Sequence, residues 1–330
     1  KYFNNKKIIL TGGGGFLGAY FIETFNKINQ HLNKPIELDI IDNLITGNYH
    51  SGIKNYPNFK FIKSDVSKAI KTKKSVDIII HAAGIASPFY YRSNPLETLD
   101  VAINGTRNAL DLAKQKSAKV IFFSSSEIYG DPDEKNIPTS EDYRGNVSSI
   151  GPRACYDESK RIGETLCYIY KEYFNIHTSI IRPFNIYGPG MRQNDYRILP
   201  NFANNLINDK NFKVYGTGRQ TRTYCYIVDA MIGFLKVIAS GLAGEVYNIG
   251  NPKPEVSVIQ LIKIIENSIN KKLNFKIVKY PNSYPEDEPL RRCPNISKAT
   301  RDIEFNPLVE LDNGLKRFFD WTQSNYEKNN

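Results

Sequence analysis

Apolar residues fall in short runs separated by longer stretches of mixed polarity. Ile8 to Thr11 and Glu37 to Asp42 read as strands, and Phe16 to Asn29 between them has apolar positions at helical spacing, which is the order of a βαβ unit. Further strand-like runs follow at Lys60 to Ser64, Val76 to His81, Val120 to Ser124 and Ser179 to Pro183, with helix-length segments between them. Strands this apolar are covered on both faces, so the pattern predicts an α/β chain with a Rossmann-type, doubly wound parallel sheet. After residue 183 turn-rich pieces (YGPG, YGTGRQTR, NIGNPKPE) alternate with short elements, predicting a smaller C-terminal α/β lobe. The expected division is a sheet domain over residues 1–183 and a lobe over 184–330, with some segments of the lobe returning to the first domain.

Composition narrows the picture only a little. With 330 residues, 41% hydrophobic and 24% charged, the chain is an ordinary globular one. No apolar run approaches the roughly 20 residues that span a bilayer, and the first residues do not resemble a secretion signal, so no membrane role and a cytoplasmic location are expected. Cys155, Cys167, Cys225 and Cys293 lie far apart, and with the four histidines they show no metal-ligand spacing, so neither a disulfide scaffold nor a metal is expected. The net charge of +10 is spread along the chain without a basic tract that interleaves aromatics. It therefore reads as solvated surface and not as a nucleic-acid site.

The chemistry begins with IILTGGGGFLG, where Gly12, Gly15 and Gly18 follow the first strand at GxxGxxG spacing. Such glycines let a backbone turn tightly beneath a pyrophosphate, with the helix N-terminus supplying free N–H groups. Asp42 ends the second strand at the distance where an acid meets the adenosine ribose, and its charge repels a 2'-phosphate, favouring NAD over NADP. Asp65 is a candidate for the adenine amine or a plain helix cap, and Ala82, Ala83 and Gly84 for close approach of the cofactor or for tight packing. The neighbouring Phe16, Leu17, Asn43 and Val66 are further candidate cofactor contacts.

Tyr156 and Lys160 lie in the helical stretch ACYDESKRIGETLCYIYKEY, so their i, i+4 spacing puts them on one face. An ammonium beside a phenol is expected to lower its pKa, helped by a positive nicotinamide, so that a tyrosinate can take a hydroxyl proton. Upstream, IFFSSSEIYG brings Ser124, Ser125, Ser126 and Glu127 to a strand's C-terminal end, where ligands bind in open α/β sheets. Ser125 is the candidate to share the substrate hydroxyl with Tyr156. Alternatively, serines at a strand end merely cap the next turn.

On these motifs the chain resembles the extended short-chain dehydrogenase/reductases, a group that holds nucleotide-sugar epimerases, 4,6-dehydratases and UDP-glucuronate decarboxylases. The likeness runs from TGGGGFLG to the region after NISKA. It implies NAD on the sheet domain, held by the glycines, Asp42 and Asp65 with Tyr156 and Lys160, a UDP-sugar in the lobe, catalysis by Ser125, Tyr156 and Lys160, and a homodimer. Within the group, 4,6-dehydratases carry an Asp-Glu pair where this chain has Ser126 and Glu127, and serine is a poor proton donor to a leaving hydroxyl. The Ser-Glu pair, the block GNVSSIGPRACYDESKR and the segments HAAGIASPFYY, QTRTYCY, NIGNP and DEPLRRCPNISKA are similar to the decarboxylases. That resemblance implies that Glu127 acts at the carboxylate or C5 end, that Arg292 lies near phosphate or carboxylate, and that Ser87, Ser126, Asn185 and Arg222 meet the substrate. Without it, Asn185 reads as a turn residue, Arg222 as a surface charge, Arg292 as one half of an ion pair, and Tyr215 and Tyr224 as core.

Departures from the decarboxylase pattern are Gly84 and Ile85 in place of Cys-Pro, Ala102 in place of an asparagine, and Ser125 in place of a threonine. The leading expectation is oxidation at C4, then decarboxylation of UDP-glucuronate to UDP-xylose with return of the hydride. A 4-epimerase, a 4,6-dehydratase and, more remotely, a non-catalytic NAD-binding protein are the alternatives.

Overall fold

The computed structural model describes residues 1–279 and 289–328. Asp287 and Glu288 of the DEPLRR segment lie outside the described residues. Seven strands form the main sheet: β1 (Lys7–Thr11), β2 (Glu37–Asp42), β3 (Phe59–Lys63), β4 (Ile78–His81), β5 (Lys119–Phe123), β6 (Thr178–Pro183) and β7 (Val246–Ile249). Helices α1 (Phe16–Asn29), α2 (Thr106–Lys116), α3 (Ala154–Phe174) and α4 (Ile227–Ser240) cover its faces. All pairings in the sheet are parallel, in the order β7-β6-β5-β4-β1-β2-β3. The winding reverses between β1 and β4, so the connections leave those strands in opposite directions and open a crevice at their C-terminal ends.

Alternate residues of the central strands feed two cores, as a sheet covered on both faces requires. Ile8, Leu10, Ile80, Ile121 and Phe123 pack with Phe21 and Phe25 of α1 and Phe234 of α4, and Ile9, Ile79, Val120 and Phe122 pack with Leu110 of α2 and Cys167 of α3. Each buried Phe or Ile contributes about 1.5–3 kcal/mol. The approach of α3 to β5 is set at Gly163, where an added Cβ would stand 2.2 Å from the Phe122 ring. Strand β4 starts two residues later than the apolar run suggests, because the Asp77 carboxylate takes the Lys7 backbone N–H at 2.8 Å.

Beyond residue 183, Val246–Ile249 joins the main sheet as β7 beside β6, and α4 covers the α1 face. The remaining segments form small sheets, one of which pairs Thr221–Arg222 with both Val256–Ser257 and Arg291–Arg292. Their apolar side chains, Tyr224 and Val256 among them, are continuous with the α1-side core. Among the described residues, no helix is long and apolar enough to cross a membrane.

Candidate active site

The glycine turn after β1 has its shape for a local reason. Gly12 sits at φ +78, and a Cβ there would lie 2.7 Å from the Ala82 carbonyl oxygen, so only glycine lets β1 and the end of β4 come this close. A Cβ at Gly18 would stand 2.4 Å from the Gly12 carbonyl oxygen, which makes Gly18 the helix-to-strand contact beneath the turn. The Asp42 carboxylate accepts the Gly14 N–H at 2.8 Å and the Leu44 N–H at 2.7 Å, binding the end of β2 to the turn.

These residues border a cleft of about 550 Å³, lined by Gly12, Gly15, Asp42, Asn43, Val66, Ala82, Ala83 and Gly84 among others. Val101, at the head of a π-helical turn over Val101–Gly105, closes one side. The side chains of Phe16 and Leu17 pack against the α1-side core. Asp65 is not among the lining residues, and its side chain accepts the Ser67 N–H at 2.9 Å as a local turn. A cradle that excludes a Cβ, faces a helix N-terminus and ends in a carboxylate suits a dinucleotide without a 2'-phosphate.

Tyr156 and Lys160, both buried on α3, adjoin two residues of the lining: Tyr156 packs with Ile85, and the Lys160 ammonium lies beside Gly84. Ser125 lies beside the Tyr156 phenol, near enough to act on its pKa, and the Tyr156 ring stacks on Tyr91 at 5.1 Å and 14°. The Lys160 ammonium donates to the Phe123 carbonyl at 3.0 Å and lies 5.8 Å from the Tyr156 ring centre. Ser125 also accepts the Glu127 N–H at 3.2 Å, at the head of the short turn Ser126–Tyr129. Ser124 points elsewhere, to Glu164, which is in turn gripped by Arg182.

The expected lowering of the tyrosine is not what the protein does by itself. Burial pushes the Tyr156 phenol up to about 12, with Ser125 acting against the rise. The same burial lowers the Lys160 ammonium to about 8. Desolvation is the largest influence on the phenol, and the ammonium spends one of its hydrogen bonds on the Phe123 carbonyl.

Glu127 is the centre of a second cluster. Arg292 meets it as a fork, Nη1 to Oε1 at 2.5 Å and Nη2 to Oε2 at 2.7 Å, and Arg153 reaches Oε2 as well. Burial alone would raise this carboxyl, but the Arg292 and Arg153 charges hold it below the usual range. Asp157, 3.5 Å from Arg153, is raised to about 6 by burial, against the pull of Arg153 and helped by Glu127. Its Oδ1 has no hydrogen-bond partner among the described residues.

The other substrate candidates take varied places. Asn185, at φ +46, gives its amide to the Thr223 carbonyl at 2.8 Å. Arg222 is turned to backbone carbonyls, Pro289 at 2.7 Å and Leu290 at 3.2 Å, and so holds the strand that carries Arg292. The Ser87 hydroxyl is buried without a hydrogen-bond partner among the described residues, at the head of helix Pro88–Ser93, and Ser126 is buried beside Glu127. Tyr224 belongs to the core. Sequence reasoning missed Arg153, Asp157 and Tyr91. The first two leave a signal, an i, i+4 charge pair at the start of the Tyr156 helix, whereas Tyr91 arrives from a distant segment and leaves none.

Comparison with known proteins adds the context. The model described as the NAD dependent epimerase/dehydratase family matches residues 8–250. UDP-glucuronic acid decarboxylase 1 of Xenopus tropicalis is 37% identical over 317 residues, covering 95% of this chain and 71% of that protein. UDP-glucuronic acid decarboxylase 6 of Arabidopsis thaliana is 36% identical over 318 residues, covering 96% of this chain and 88% of the relative. Among solved structures, a tyrosine-to-phenylalanine variant of UDP-glucuronic acid 4-epimerase from Bacillus cereus, in complex with UDP-4-deoxy-4-fluoro-glucuronic acid and NAD, superposes with a TM-score of 0.83 at 26% identity. It covers 97% of this chain and 100% of that one.

Proposed function

Since the chain belongs to the NAD dependent epimerase/dehydratase family, we propose that it is an NAD-dependent nucleotide-sugar decarboxylase that converts UDP-glucuronate to UDP-xylose and carbon dioxide. The relatives just described include decarboxylases of that substrate, and the state of Glu127 argues against dehydration. A dehydratase needs an acid to protonate the departing C6 hydroxyl. Glu127 is held ionised by two arginines and Ser126 is a hydroxyl, so neither supplies one. Loss of carbon dioxide needs no acid at C6.

The residues divide the work by position. Gly12, Gly15, Asp42 and, after β4, Ala82, Ala83 and Gly84 would hold NAD, which would supply a hydride acceptor, and later a hydride donor, for C4. Tyr156, ionised with the help of Lys160 and of the positive charge a bound nicotinamide would add, takes the C4 hydroxyl proton, and Ser125, beside the phenol, shares that proton's hydrogen bond. Lys160 keeps a positive charge close to the phenol. The C4 ketone makes the C6 carboxylate part of a β-keto acid, the C5–C6 bond breaks, and its electron pair becomes the C4–C5 enolate as carbon dioxide leaves. A proton from solvent water adds at C5, and Tyr156 returns the proton it took to the C4 oxygen as the hydride comes back to C4. Residues 184–330 hold the nucleotide sugar against the C-terminal edge of the sheet, with Arg292 and Glu127 facing the sugar.

Two further readings belong to this proposal. The protein is a homodimer through α3, which exposes Ile162, Tyr168, Tyr173 and Phe174, and light scattering at twice the chain mass tests it. It works in the cytoplasm, a reading supported by four cysteines that are all free thiols and tested by fractionation of cells. The decisive experiment for the reaction is incubation with UDP-glucuronate under mass detection. Loss of carbon dioxide with no net NADH fits the proposal, whereas loss of water, or an isomer of equal mass, would replace it with dehydration or epimerisation.

A further inference from the structure

Arg153 stands at the reaction centre without a task in the chemistry above. It lies just before α3, three residues ahead of Tyr156, and it meets Glu127, two residues after Ser125. The Arg153–Glu127 pair therefore joins the same two chain segments as the Tyr156–Ser125 pair, one step further along. A sugar whose C4 hydroxyl meets Tyr156 and Ser125 presents a substituent on a neighbouring carbon to that second pair.

The way Glu127 is shared decides which arginine can turn to a ligand. Arg292 covers both Glu127 oxygens with its fork, while Arg153 meets Glu127 at Oε2, an oxygen that Arg292 also holds. An incoming carboxylate can take over Arg153 and leave Glu127 paired. Taking Arg292 would strip Glu127 of its fork, which is costly for a part-buried charge. Asp157 supports this division of roles: its Oδ2 stands 3.5 Å from the Arg153 Nε, and the carboxylate is buried.

We infer that Arg153 is a specificity-determining residue that recognises the carboxylate of an acidic sugar, with Asp157 as its positioning residue. The inference rests on the reading of the substrate as a uronate. An arginine already shared with Glu127 and Asp157 directs the carboxylate without clamping it, which suits a group that must leave as a neutral molecule.

The test uses protein loaded with NAD and two ligands that cannot be oxidised at C4: UDP-4-deoxy-4-fluoro-glucuronate and the neutral UDP-4-deoxy-4-fluoro-glucose. Calorimetric titration of the wild type should show tighter binding of the acid. Arg153→Met should weaken the acid about tenfold to a hundredfold, the range expected for a hydrogen bond to a charged group. The neutral ligand should stay within about threefold. Arg153→Lys, which keeps the charge but loses the fork, should fall between the two and carries the measurement if the methionine variant does not fold. Asp157→Asn should weaken the acid more than the neutral ligand. The inference is overturned if the preference for the acid survives both Arg153 variants, if both ligands weaken together, or if only Arg292→Met removes the preference. A wild type that prefers the acid but releases no carbon dioxide from UDP-glucuronate would refute decarboxylation and leave the role of Arg153 standing.

Discussion

Replacing Glu127 with glutamine tests the ion cluster, because the change keeps size and shape and removes only the charge. In the native protein one carboxylate faces Arg292 and Arg153, whose side chains are 10% and 13% exposed. Glutamine can accept through one oxygen, and its amide presents donors to guanidinium groups that themselves only donate. Two part-buried cations then face each other with their shared counter-charge gone, a loss of about 3 kcal/mol, at the lower end for breaking a buried pair. Unfolding entropy of about 2.1 cal/mol/K per residue over 330 residues turns this into a fall in Tm of about 4 °C. Differential scanning calorimetry at pH 7 in low salt measures it. Arg292→Met leaves Glu127 with Arg153 still in place and should lower Tm by less. A Tm within about 1 °C of wild type in Glu127→Gln would mean that solvent already screens the cluster, and the argument for an ionised, arginine-held Glu127 would fail.

Other perturbations address the remaining parts of the site. Tyr156→Phe should lower kcat about a hundredfold to ten-thousandfold, the contribution of a placed acid/base group, while fluorescence titration shows NAD binding kept. Because burial lowers Lys160 to about 8, its positive form is lost as pH rises through that value, so kcat should fall on the alkaline side; a flat profile between pH 7 and 9 would exclude a role for the ammonium's charge. Gly12→Ala should weaken NAD binding severely and lower stability by about 1–3 kcal/mol, since the residue combines a left-handed backbone with a collision against the Ala82 carbonyl; chemical denaturation and titration read the two effects separately. Asp42→Asn should narrow the preference for NAD over NADP by removing the charge that repels a 2'-phosphate, read as the ratio of the two dissociation constants.

How far the sequence was legible depended on how local each determinant is. Gly12 and Gly18 are readable because their demands are met within one βαβ unit, where a Cβ has no room. Tyr156 and Lys160 are readable because a helix fixes the i, i+4 relation. The Glu127 cluster is harder, since Arg292 arrives from a strand 165 positions away, held beside the site by Arg222 and its backbone contacts. That use of Arg222 is invisible in sequence, where an arginine in a turn-rich segment reads as a surface charge. Nor does the alternation of hydrophobic residues reveal burial energies: spacing shows a lysine beside a tyrosine, but not that desolvation pushes the phenol upward. The short run Val246–Ile249 carries too little pattern of its own to reveal that it completes the main sheet as an edge strand.

The contact between Gly163 and Phe122 has a reach beyond packing. Tyr156 and Lys160 ride on the helix, whereas Ser125 and the carbonyl that anchors the ammonium belong to the end of the neighbouring strand. The gap across which a proton passes is thus the spacing between two backbone segments, and that spacing is fixed about two turns from the phenol by a hydrogen atom resting on a benzene ring. A single methyl group placed there, touching neither sugar nor nucleotide, would act on turnover like a shim under a bearing.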